Sequence, residues 1–277
     1  MSVALRRLWE NRKKRITNVF MQNPNPQPVK PPPNYRSWKH LVPGGIALAF
    51  NAGYVNSVVL GFFDTPVSHM SGAVSRLGFY VTQRRGLETF ESLMIIFGFI
   101  LGGVLAGIFI GSTQLTPSRR YGSVMMFEGV LLLLATVLLF EKVAVGLLLA
   151  SIACGLQNGM STTYCGIATR TTHVTGIVTD LGLMIGHWIR QHPIDKWKFN
   201  FLLFLLLAFG GGGVAGALGN ILYGPLCLFA AAVACFVAGA IFFAVLHREV
   251  ISEDAEEQEA LNRGTAASAY NDPAYND

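Results

Sequence analysis

His69-Met-Ser-Gly-Ala-Val-Ser-Arg-Leu-Gly78 and His173-Val-Thr-Gly-Ile-Val-Thr-Asp-Leu-Gly182 are one string written twice, 104 residues apart (173 minus 69). The order is histidine, apolar, hydroxyl, glycine, apolar, valine, hydroxyl, charge, leucine, glycine. The single chemical inversion is at the eighth place, Arg76 against Asp180. A repeated unit sets the architecture, so the rest of the chain is read outward from these two runs.

The runs lie in a strongly apolar chain. Of 277 residues, 52% are hydrophobic and 13% charged, with a mean hydropathy of +0.44. Soluble domains carry roughly 25% charged residues. The fold class expected is therefore all-α, a polytopic helical membrane protein whose main partner is the lipid bilayer. Four cysteines, Cys154, Cys165, Cys227 and Cys235, sit inside apolar segments without metal-ligand spacing and read as packing residues. The net charge of +5 is concentrated in the N-terminal forty residues. It speaks of membrane orientation, not of nucleic acid.

Four regions follow in order. Residues 1–40 combine a basic amphipathic stretch, suited to a membrane surface or to solvent, with a Pro-rich linker. Residues 41–141 and 142–247 are the two membrane repeats, and 248–277 form an acidic tail without a core. Each repeat holds three to four segments. The first set falls at about 42–63, 66–83, 92–112 and 122–140, the second at about 143–167, 172–189, 199–220 and 224–246. Six have the ~20 apolar residues of a full span. The other two are the short polar runs, which either cross or re-enter.

Further landmarks recur in the same order. Gly53 answers to Gly159, Gly102–Gly107 to Gly211–Gly216, and Tyr121-Gly122 to Tyr223-Gly224. Eight crossings would make the repeats parallel, and six would make them inverted. Basic residues divide seven against three in both cases. Either way both termini are expected on the cytoplasmic side of a plasma (inner) membrane.

Polar groups are costly inside a bilayer, at ~2.5–3.5 kcal/mol for a central charge, so those present are candidates for solute or ion binding. The candidates are Asn56, Asp64, His69, Arg76, Glu128, Gln157, Asn158, Arg170, His173 and Asp180. The two histidines could couple protons or hydrogen-bond a solute, and equally could be packed residues at helix starts. Ser68, Ser71, Thr171, Thr172 and Thr175 suit helix capping. Arg76 and Asp180 are expected to form a buried pair where the runs meet. Glu128 is either a proton-relay group or half of an ion pair. Glycines at small-xxx-small spacing predict close helix contacts.

The paired runs, with Ala52-Gly-Tyr-Val-Asn56 and Gly155-Leu-Gln-Asn-Gly159, resemble the YoaK-like family of integral membrane proteins of unknown function. The resemblance covers about residues 42–246. The second-half motifs fit well. In the first half, Asn56 stands where that family usually has Asp, and Ser71-Gly72-Ala73 replaces Thr-Gly-Asn. The resemblance implies six to seven spans and brings no substrate. Any ion coupling by the missing acid would be lost here or moved to Asp64.

The reading is a transporter or permease for a small solute or a proton, with its site between the two repeats, able to form a homo-oligomer. The alternative is a non-transporting scaffold or sensor. No nucleophile-elbow, zinc-protease or CxxC pattern is present, so no enzyme, metal or cofactor is expected.

Overall fold

The computed structural model describes residues 35–110, 119–160 and 171–244. The basic N-terminal stretch, the Pro-rich linker, Cys165, Arg170 and the acidic tail lie outside the described residues. Contacts divide the chain into Met1–Tyr35 and Arg36–Asp277, and all packing below lies in the second unit. Among the described residues the structure is helical throughout, without a strand.

The helices are α1 (Tyr35–Phe63), α2 (Met70–Thr82), α3 (Gly86–Ile110), α4 (Arg119–Phe140), α5 (Val145–Met160), α6 (Val174–Ile189) and α7 (Lys196–Tyr223). A 3₁₀ turn at Gly224–Cys227 leads into α8, residues 228–244. Four stretches are long and apolar enough to cross a bilayer: Val42–Phe63, Gly86–Ile110, Arg120–Phe140 and the 49-residue Lys196–Ala244. The sequence led to an expectation of six. The difference arises because α7 and α8 run on through the turn, and α5 has 16 described residues. At 1.5 Å per residue α5 and α6 are about 24 Å long and α2 about 20 Å, against a hydrocarbon core of about 30 Å.

Helix faces follow the side-chain sizes. Helix α3 turns Phe97, Ile100, Val104 and Ile108 outward and buries Gly98, Gly102 and Ala106. An apolar outer face on such a scale suits lipid.

The glycine face of α3 meets the glycine face of α5. A Cβ on Gly98 would lie 2.8 Å from the Leu148 carbonyl oxygen, and one on Gly102 would overlap that of Ile152. One on Gly155 would overlap the Phe99 carbonyl, and one on Gly159 would come within 2.6 Å of the Ala106 Cβ. Contacts rise together along both chains, so α3 and α5 run parallel. Helices α1 and α7 repeat the construction: Gly53 abuts the Phe209 carbonyl, Gly212 that of Phe50 and Gly216 that of Tyr54. They too run parallel. Thus the first helix of each half lies against the third helix of the other half.

Helices α4 and α8 run antiparallel, with Gly122 against Phe243 and Gly129 against Ala232 and Phe236. Between α1 and α5, Gln157 Nε2 donates to the Leu48 carbonyl at 2.7 Å. Ser151 Oγ donates to the Val67 carbonyl just beyond α1 at 3.3 Å. Contacts rising along one chain fall along the other, so α1 and α5 are antiparallel.

The short helices α2 and α6 end alike. Arg84 and Gln191 take left-handed φ of 56° and 60°. Their N–H groups bond to Val81 O and Trp188 O, and the next N–H groups bond to Tyr80 O and His187 O. These paired bonds satisfy carbonyls that a helix end leaves orphaned. Helix α2 packs on α3, and α6 on α7.

Replacing Gly102 by Ala should lower stability by about 1–3 kcal/mol, because the methyl has only backbone to displace. Its neighbour Gly103, with nothing within 4 Å of an added Cβ, should tolerate the same change. Thermal unfolding of the two variants in detergent makes the comparison, and equal effects would contradict the packing described.

Candidate functional site

Each short helix is preceded by a hydroxyl that reaches back to an asparagine of the long helix before it. Ser68 donates to Asn56 Oδ1 through its N–H at 3.1 Å and its Oγ at 2.8 Å. Thr172 Oγ1 donates to Asn158 Oδ1 at 2.9 Å. Ser68 and Thr172 occupy matching places in the two runs, each immediately before the histidine. Asn56 lies seven residues before the end of α1, roughly 10 Å along its axis. The chain therefore turns back along α1 before α2 begins.

Because these hydroxyls face backward, they do not cap. Neither His69, the N-cap of α2, nor His173, that of α6, is joined by a side-chain capping bond. The capping expected of Ser68, Thr171 and Thr172 is replaced by bonds to Asn56, Gln157 and Asn158. The first N–H groups of α2 are left without side-chain acceptors, at the positive end of a helix dipole.

Two more polar side chains lie on the same face of α2. His69 stacks on Phe209 of α7, with centroids 5.8 Å apart. Its Nε2 is buried without a hydrogen-bond partner, and so is Nη1 of Arg76, seven residues on. Gly72 lies between them, with nothing within 4 Å of an added Cβ. The result is an electropositive strip able to receive an acceptor-rich group such as a carboxylate or another small oxyanion. Its counterpart differs, since His173 is exposed and Asp180 stands in the place of Arg76.

A second polar centre joins α1, α4, α5 and α8. Glu128 is 1% exposed and lies beside Cys235. Asn51 Nδ2 donates to Cys235 Sγ at 3.2 Å, and Cys154 lies close to Glu128. The ion pair that Glu128 was read as offering is absent among the described residues. Its Oε2 has no partner.

Several expectations change with this geometry. Arg76 and Asp180 are not bridged, because α2 lies on α3 and α6 on α7. Asp64 is exposed at the left-handed turn ending α1, φ 52°. Gln157 is buried and ties Leu48 O to Thr171, at 2.7 and 3.3 Å. Arg170 lies outside the described residues.

The sequence reading missed Ser151, whose Oγ donates to Ile95 O at 2.6 Å. It continues the small-residue spacing of Gly155 and Gly159, and that register was the available signal. Reading Cys235 as inert packing also concealed its hydrogen bond with Asn51. Asn220, with a buried unpartnered Oδ1, stands alone as an amide in the apolar stretch 201–222 of α7. Among the described residues, no three His, Cys, Asp or Glu side chains are grouped so as to hold a metal ion.

Residues 44–241 match the family described as protein of unknown function, DUF1275. The match runs from α1 into α8. No curated protein and no solved structure matches the chain.

Double-mutant cycles should recover both clamps. Alanine at Asn56 and Ser68, and at Asn158 and Thr172, should give coupling energies of roughly 0.6–1.7 kcal/mol by thermal unfolding, the range of hydrogen bonds between membrane helices. Asn56→Ala alone should cost more than Asn158→Ala, because Asn56 also accepts from the Ser68 backbone N–H, a bond that no Ser68 substitution removes. The reverse order would contradict the assignment.

Proposed function

The chain belongs to the DUF1275 family, and we propose that this protein is a permease for a small anionic solute, built from two inverted repeats of three spans each. The short helices α2 and α6 re-enter from opposite faces without crossing. Three observations support this topology. The antiparallel course of α1 and α5, which the sequence aligns as equivalents, fits inverted repeats and not parallel ones. The backward turn from Phe63 to Ser68 fits re-entry from the face on which α1 ends. The lengths of α2 and α6, 13 and 16 residues, fit half-membrane helices. Both termini then lie on one side, the cytoplasmic side by the basic N-terminal stretch.

The observation that carries the solute reading is the strip on α2. His69 Nε2 and Arg76 Nη1 are buried without partners beside an uncapped helix start. Buried donors left unmade cost about 1–3 kcal/mol each, more when charged. A group that accepts from them offsets that cost. Asymmetry between the halves, Arg76 against Asp180, supports an anion site in the first repeat only. Half-helices whose N-termini face a solute are a recurring way to hold an anion within a bilayer.

Topology is tested by single cysteines at Gln83 and Arg190, the exposed C-caps of α2 and α6. Membrane-impermeant labelling should reach Arg190→Cys from the cytoplasmic face and Gln83→Cys from the opposite one. Labelling of both from one face would restore parallel repeats.

Transport is tested by flux of a panel of small carboxylates and inorganic oxyanions into vesicles containing the protein. At least one should enter faster than into protein-free vesicles. Arg76→Ala should cut that flux by about tenfold or more, the loss of roughly 1.5–3 kcal/mol of charged hydrogen bonding, and Arg76→Lys by less. No flux of any solute through folded protein would favour the scaffold reading.

A further inference from the structure

Glu128 lies apart from the α2 strip and the solute reading does not use it. We infer that Glu128 is a reversible proton-binding site at the centre of the bundle. The inference stands on its surroundings and is independent of the identity of any solute.

The carboxyl is fully enclosed where four helices meet. From α8 it faces Cys235, and from α5 Cys154. Asn51 of α1 is neutral and already donates to Cys235. Helix α3 carries no ionisable residue after Glu91. In α1, Tyr54 gives its hydroxyl to Cys227 O at 3.0 Å. On α4 itself Tyr121 lies two turns away, its ring against Phe242 of α8. None of these neighbours brings a positive charge. Among the described residues none of these groups compensates a carboxylate, and an uncompensated buried charge is costly.

The acid form is not completely satisfied either. Cys235 Sγ accepts from the Asn51 amide, and its S–H is free to donate to the Glu128 carboxyl beside it. Oε2 then has no partner, whether it carries the proton or not. A carboxyl kept only for packing would be expected to have both oxygens engaged or to be replaced by an apolar residue. One left half-engaged is held in neither state by its neighbours, and hydration reaching Oε2 changes the balance. The chemistry is one proton taken from water by the carboxylate and returned to water later, with no other bond made or broken.

Infrared difference spectra of the full chain in lipid vesicles, recorded against bulk pH, test this without any solute. The wild type should show the carbonyl stretch of a buried protonated carboxyl, declining as pH rises. Glu128→Gln should abolish that band, and Cys235→Ala, which removes the neighbouring thiol, should shift its frequency. A band unaffected by Glu128→Gln would overturn the inference. So would a band that Glu128→Gln removes but that stays constant over the whole pH range in which the protein remains folded. Loss of the band on adding sodium at fixed pH would make the centre a cation site and overturn it equally. If Glu128→Gln fails to fold, Cys235→Ala and Glu128→Asp keep the test: neither moving the titrating band refutes the assignment.

Discussion

Close approach of helix backbones is the constraint on which the rest depends. At Gly53, Gly102, Gly155, Gly212 and Gly216, a carbonyl oxygen of the facing helix occupies the space where a Cβ would stand. Lipid tails are as apolar as leucine, so burial of apolar surface does not bring membrane helices together; dispersion and weak contacts at short range do. Glycine shortens that range. Here it does so twice, on α3 with α5 and on α1 with α7, and the two contacts interlock the halves of the chain.

That interlock fixes where polar groups can go. With α1 and α5 held antiparallel, Gln157 meets the Leu48 carbonyl and Ser151 meets Ile95 and Val67. Asn51, Glu128, Cys154 and Cys235 come together between four helices. The short helices occupy what is left, each clamped at its start to an asparagine and closed at its end by a left-handed turn. Their uncapped starts and the unpartnered donors of α2 are consequences of this clamping, since the hydroxyls that could cap are turned away.

Much of this was legible in the residues. Composition gave the membrane class. The spacing of Gly98, Gly102, Gly155, Gly159, Gly212 and Gly216 announced close contacts, and the two histidine runs announced two related short helices. The clamps were half visible: the hydroxyls and amides stood out, though capping was the role expected of them. The Arg76–Asp180 pair failed because matching places in a repeat need not be neighbours. Each run lies on its own half's third helix, and opposite charge at equivalent positions then carries no distance information.

The sequence by itself determined which face of each helix is small, which is apolar, and where polar groups interrupt the hydrocarbon. Those properties are periodic and local, and a helix expresses them wherever it is placed. Only the tertiary structure decided which faces meet. The exchange of partners between the halves, the antiparallel course of α1 and α5 and the enclosure of Glu128 depend on residues about 25 to 185 positions apart. Several faces were small enough to pack closely, and spacing along one helix does not say which other helix will fill it.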